Sequence, residues 1–348
     1  MKKQLGKIQL PKAGKKSSLG VAIDDHMLMY VEVLGTTKGF SVVRFGEVPL
    51  ETESVDTENH TAELTRVFSA LKRRSKTKNI QVALRDSSAT FFEMTLAESD
   101  PFLLEHMVER EVKKAIGDRQ NFVLQTEILY REKNDTKVAV TMLPQEPIDQ
   151  IKEVTKIAKW TLDYIGLATE ITAEHLGLDD SASIVIAIKA RETSITILSK
   201  GSLVLEEIVQ TGTDMWIEKI MDTYGVDYEN AVDALFFEGI GAVSNNGVTA
   251  SLKNELRKII DSAEKTFLYW HVDCRKEKEC RVHRVTLVGV GASIPGIANY
   301  LETSLTIETK TPQAFAGLKL INDIPEMTES ESLNYLPALA LALRGFRK

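Results

Sequence analysis

Three places in this chain hold side chains that could do chemistry. Asp24, Asp25 and His26 stand together in a polar turn between apolar runs at 19–23 and 29–34. Lys189 and Arg191, with Glu192, stand in a similar turn about 165 residues further on, after an apolar run at 184–188. The two carboxylates would set negative charge beside any polyphosphate held there. Lys and Arg can draw a polyphosphate or pair with the opposing acids and close a cleft. His26 between them could move a proton, although a polar turn residue is the plainer reading. The third place is His271, Cys274, Cys280 and His283, two imidazoles and two thiols within thirteen residues. That set suits tetrahedral zinc, but the spacing is not a usual zinc pattern. The run CRKEKEC is strongly charged and reads as a solvated hairpin with reduced thiols, with zinc or a reversible disulfide as alternatives. No Ser/His/Asp set and no GxxxxGK[ST] loop is visible.

The turns are placed by strands. Runs at 184–188, 194–198 and 203–208 are rich in Ile, Val, Leu and Thr, with polar breaks at Lys189–Glu192 and Lys200–Gly201. This pattern predicts a three-strand meander whose first strand is buried on both faces. The same figure occurs at 19–23, 29–34 and 40–45. A meander used twice implies two related half-domains, and a nucleotide held between them would meet both first turns.

Around the meanders the spacing of apolar residues predicts helices at 61–74, 101–116, 147–166, 214–224, 228–237, 249–270 and 333–346. Strands are expected at 80–84, 90–96, 122–130, 137–142, 167–171 and 285–288. Lys72, Arg73 and Arg74 cap a helix end, and Trp216 and Trp270 are core residues on this reading. The fold class is α/β, two lobes with an inserted small α+β subdomain. The boundaries are a basic flexible arm at 1–18, a first lobe at 19–46 plus 144–180, the insert at 47–143, and a second lobe at 181–348.

Composition narrows the partners. The 348 residues are 43% apolar and 27% charged, with net charge −7, so nucleic acid is not expected. No apolar run is long enough for a membrane span. The basic start is not followed by the apolar stretch of a signal peptide, and two cysteines make no disulfide framework. The expectation is a cytosolic protein. Residues 1–16 carry six lysines and no acid, a solvated tail or an arm making weak contact with anionic headgroups.

Four segments together carry a resemblance. They are LGVAIDD at 19–25, VALRDSSATFFEMTLAESDPFLLEHMVEREVKKAI at 82–116, VTLVGVGASIPGIANYLE at 285–302 and NYLPALALALRG at 334–345. In this order they resemble the actin-like (ribonuclease H-like) ATPase superfamily, and within it the PilM family of type IV pilus assembly proteins, similar to the division protein FtsA. The resemblance implies an actin-like fold with a nucleotide cleft that Gly289, Gly291 and Ala292 would line on the adenosine side, opposite Asp24, Asp25, His26, Lys189 and Arg191. The family's phosphate turns read Gly-x-Asp-x-Gly-Ser and Asp-x-Gly. Here Ala22 and Ala187 stand at the two Asp positions, and Asp24 and Lys189 at Gly positions. Alanine can neither hold Mg²⁺ nor orient water. The expectation is therefore a degenerate cleft, no ATP hydrolysis and no required cofactor, with ATP the one nucleotide it could still take. The alternative is a nucleotide-binding ATPase of the actin/FtsA type acting in cell division.

The resemblance also implies a partner, the cytoplasmic N-terminal peptide of a single-span inner-membrane protein (PilN-like), with a pilus ATPase as a further candidate. The protein would then sit in the cytoplasm at the inner face of the inner membrane, as part of a type IV pilus or type II secretion-like platform. The peptide would lie in a groove between insert and first lobe. Phe91, Phe92 and Met94 on one strand, with Phe102, His106 and Glu109 on the following helix, are the expected walls.

Overall fold

The computed structural model describes residues 16–24, 26–52, 57–97, 100–116, 121–132, 135–178, 182–199, 201–241, 247–273, 282–315, 317–321 and 332–347. The chain divides into two compact units. One comprises Met1–His175, Gly317–Glu326 and Pro337–Lys348, the other Leu176–Ala316 and Met327–Leu336.

The first unit begins with β1 (Lys16–Ile23), β2 (Met27–Thr36) and β3 (Gly39–Pro49), an antiparallel meander. α1 (Thr57–Arg74) leads to β4 (Asn79–Leu84), which pairs parallel to β1 with Leu19 opposite Ile80. The insert follows as β5 (Thr90–Leu96), α2 (Pro101–Ile116), β6 (Phe122–Glu132) and β7 (Asp135–Pro144). Its strands form an antiparallel sheet in the order β5-β7-β6. Leu104, Val108 and Val112, spaced by four on α2, bury against Leu96, Val138 and Val140. The chain then re-enters the main sheet through α3 (Gln145–Ile157), β8 (Thr161–Leu167) and α4 (Ala168–Leu176). α1 and α3 share one core with the sheet, including Leu64, Phe68, Ile151, Val154 and Trp160. The Trp160 indole N–H finds the carbonyl of Phe68 at 3.0 Å, so a bulky side chain is buried with its one donor satisfied.

The second unit repeats the meander as β9 (Ser183–Ile188), β10 (Thr193–Ser199) and β11 (Ser202–Val209). Every residue of β9 and β10 is buried. α5 (Thr213–Tyr224), α6 (Tyr228–Asp233), a π-helical turn Ala234–Glu238 and α7 (Gly247–Asp273) follow. β12 (Arg284–Val288), α8 (Ile297–Leu305) and β13 (Glu308–Lys310) complete the unit, with sheet order β11-β10-β9-β12-β13. Trp216 and Trp270 are buried in it, as the sequence predicts. Finally β14 (Lys319–Leu320) gives the first unit its full order, β14-β3-β2-β1-β4-β8. α9 (Leu336–Arg344) closes the chain on β1.

The structure differs from the sequence expectation at four points. β4 belongs to the main sheet and α1 to its core rather than to the insert, because β4 hydrogen-bonds to β1 on one side and β8 on the other and α1 buries Leu64 and Phe68 in that core. The helix expected at 147–166 stops at Ile157. Lys159 takes φ 61° and turns the chain out of the helix, so 161–167 becomes β8. The strand expected at 167–171 is the start of α4. All of α9 after Leu336 belongs to the first unit, not the second. Gly20 explains why: a Cβ there would lie 2.0 Å from the carbonyl oxygen of Ala338, so α9 sits directly on the β1 backbone.

Candidate functional site

β8 is the last strand of its sheet, paired with β4 on one side. β6 is the last strand of the insert sheet. Among the described residues neither strand has a partner on its other side. An unpaired strand edge presents a row of N–H and C=O groups. Residues of β8 and of β6 line one cavity of about 370 Å³, together with β7, α3 and the start of α4. Its apolar lining is Val123, Leu143, Ile148, Leu162 and Ile165, and Lys152, Asp163 and Glu170 add charge. Val123 is 47% exposed, an unusual place for a valine on a strand otherwise half-buried.

The walls are fixed from behind. Asn79 donates to the Asp163 carboxylate at 2.6 Å and Gln125 to Glu170 at 3.2 Å. The Arg344 guanidinium stacks 4.0 Å from the centre of the Tyr164 ring. Arg344 and Arg347 both pair with Glu174. Burial pushes the Tyr164 phenol above its ordinary 10.0, with Arg344 working the other way. It therefore stays a neutral wall residue through the physiological range.

The residues expected at the phosphate turns fall as follows. In the first unit the Asp24 N–H donates to the Met27 carbonyl at 2.9 Å. Asp24 also lines a second cavity of about 370 Å³ with His60, Arg85 and Gln150. The His26 carbonyl accepts from the Leu50 N–H at 2.9 Å, and Asp25 lies outside the described residues. In the second unit Lys189 closes its own turn, its N–H on the Glu192 carbonyl at 2.9 Å and its ammonium 3.1 Å from the Glu192 carboxylate. Arg191 lies 4.0 Å from Asp214. Gly289 has φ 85°, and a Cβ on it would meet the Ile188 carbonyl oxygen at 2.4 Å. A Cβ on Gly291 would meet the Ile188 side chain at 2.2 Å, and Ala292 is buried. Packing of this turn against β9 thus accounts for both glycines without any nucleotide.

The residues expected as groove walls do not line this cavity. Phe92 and Met94 pack under α2 in the core of the insert. Phe91 packs against the main core. His106 and Glu109 lie on the outer face of α2, where Glu109 pairs with Lys113 at 2.6 Å. The side chain of Phe102 lies outside the described residues, as do Cys274 and Cys280 of the proposed zinc set and residues 1–15 of the arm. His271 ends α7 and His283 precedes β12. Among the described residues no group of three His, Cys, Asp or Glu could hold a metal ion. No helix among them is long and apolar enough to cross a membrane. What the sequence reading missed is β8. Its signal was the alternation in Thr161-Leu162-Asp163-Tyr164-Ile165, masked by a helical spacing that Leu162 and Ile165 also satisfy.

Comparison with known proteins gives the following. The family described as type IV pilus assembly protein PilM matches residues 20–346. The solved PilM–PilN type IV pilus biogenesis complex is similar, at 16% identity and TM-score 0.73, covering 95% of this chain and 99% of that one. MreB5 of Spiroplasma citri bound to AMPPNP is similar at 12% identity and TM-score 0.53, covering 93% and 94%. The MamK double helical filament is similar at 11% identity and TM-score 0.52, covering 94% and 98%. The fold shared at these low identities is actin-like. No curated protein matches the sequence.

Proposed function

Because this chain belongs to the PilM family of type IV pilus assembly proteins, we propose that it is a scaffold that grips the cytoplasmic N-terminal segment of a PilN-like, single-span membrane protein. The segment enters as an extended strand between β8 and β6. One observation carries this reading: β8 and β6, each the last strand of its sheet, both contribute residues to the same partly apolar cavity. It is supported by the likeness to a PilM–PilN complex.

The energetics favour an apolar, extended occupant. Ordering a free segment costs ~1–2 kcal/mol per residue of backbone. A backbone hydrogen bond to a strand edge returns a net ~1 kcal/mol, so pairing alone does not hold the segment. Apolar side chains against Val123, Leu143, Ile148 and Leu162 add ~1.5–3 kcal/mol each when fully buried. The groove therefore selects a segment with apolar residues at alternate positions, since those share one face of a strand. A partner held this way would keep the chain at the inner face of the membrane.

The scaffold works without turning over ATP on this reading. Ala22 and Ala187 are buried in β1 and β9 and offer no metal ligand where the family has aspartates. The competing division-type ATPase needs those carboxylates. A photo-reactive residue at Val123 tests the location of the partner. In native membranes it should trap a single-span protein of the pilus assembly through its N-terminal segment. Trapping from His106 on α2 and not from Val123 would put the partner on the outer face of the insert instead.

A further inference from the structure

The stretch 221–239 in the second unit carries five acids and no cation. On its surface stand Tyr224, Tyr228 and Phe237, exposed by 47%, 59% and 79%. Glu229, Asp233 and Phe237 follow at steps of four on the α6 segment and the π-helical turn after it. Side chains spaced by four lie on one side of a helix. Two carboxylates at that spacing repel one another. Among the described residues none of Glu229, Asp233 and Glu238 forms an ion pair. The π-helical turn Ala234–Glu238 is closed by the Gly239 N–H on the Ala234 carbonyl at 3.1 Å. It buries Leu235 and leaves Phe237 in water. A π-turn is a rare feature that tends to mark functional surfaces. An aromatic surface with uncompensated acids fits a segment that is cationic and apolar together.

The chain supplies such a segment. Residues 1–15 hold five lysines, no acid, and Leu5, Ile8 and Leu10. We propose that this face receives residues 1–15 of a second copy of the chain, lysines on the carboxylates and the three aliphatic side chains on the rings. A contact between two different patches of identical chains is heterologous, so it repeats from copy to copy and builds a row rather than closing a pair. This interaction is separate from the partner groove of the first unit and does not depend on it.

The test mixes equal amounts of unlabelled and ¹⁵N-labelled full-length chain, joins amines to carboxylates with a zero-length carbodiimide, and reads the cross-linked peptides by mass spectrometry. The expected products link Lys2, Lys3 or Lys7 to Glu229, Asp233 or Glu238 in mixed-isotope form. Their yield should fall about ten-fold at ~0.5 M salt, where the screening length is only a few ångströms. The double change Glu229→Gln and Asp233→Gln should also cut the links to the unchanged Glu238 while circular dichroism and melting stay as in wild type. Sedimentation at low salt should show mass rising with concentration for wild type and not for the double variant. Same-isotope links alone would overturn the proposal. So would arm lysines that join no carboxylate of this face yet carry the chain onto phosphatidylglycerol vesicles equally well in both proteins.

Discussion

Val123 shows what a single residue contributes to the account. It is an apolar side chain half in water on the rim of the groove, so changing it disturbs little of the core. Val123→Arg should cut capture of the membrane partner by at least ~10-fold, from loss of ~1.5–3 kcal/mol of apolar contact. The melting temperature should stay within ~2 °C, as for most surface substitutions. Glu63 makes a contrasting, purely structural prediction. Burial pushes its carboxyl up, but donation from the Thr52 hydroxyl and from the Glu51 and Thr52 N–H groups, with Arg66 nearby, leaves it below the ordinary 4.5. A carboxylate depressed in the folded state stabilises the fold above its unfolded value, and that contribution is lost as pH falls through the folded value. Wild type should therefore exceed Glu63→Gln by ~1 kcal/mol at pH 7 in urea unfolding, and the gap should close at pH values below 4.5. At this scale the sequence shows Ala22 and Ala187 where the resemblance expects metal-binding aspartates. The packing role of Gly289 and Gly291 was not legible, because only the structure puts Ile188 against them.

Among the elements, β8 and α9 decide the architecture. The meanders were readable because β-branched runs broken by Lys, Glu and Gly have one interpretation. β8 was not, because Leu162 and Ile165 continue the helical spacing of Ile151, Val154 and Ala158. The residue that breaks the helix is Lys159 at φ 61°, where glycine or asparagine is the usual signal. Pairing with β4 overrides the local pattern. The six residues expected as groove walls follow from the resemblance and lie on β5 and α2. α9 reads as a helix from its Leu/Ala pattern, but its docking on β1 depends on close approaches at Gly20 and at Gly345, just after the helix, that the pattern does not reveal. Gly20→Ala should destabilise the chain by ~3 kcal/mol or more, because the clash is with backbone and cannot be relieved by a rotamer change. Chemical unfolding of the variant beside wild type measures this directly, and a loss under ~1 kcal/mol would mean that α9 docks less closely than described.

The molecule as a whole is an actin-like chain of the type IV pilus assembly family PilM, with alanine at positions 22 and 187. Pure protein should hydrolyse Mg-ATP no faster than the buffer blank. The role itself was legible only through the resemblance, since neither composition nor charge distinguishes a scaffold from an enzyme of this fold. The most direct measurement is affinity capture from solubilised native membranes with wild type and Val123→Arg side by side. The account predicts that wild type retains a single-span pilus-assembly protein through its cytoplasmic N-terminal segment and that the variant loses it. Equal recovery by both, or recovery of division proteins alone, would contradict it.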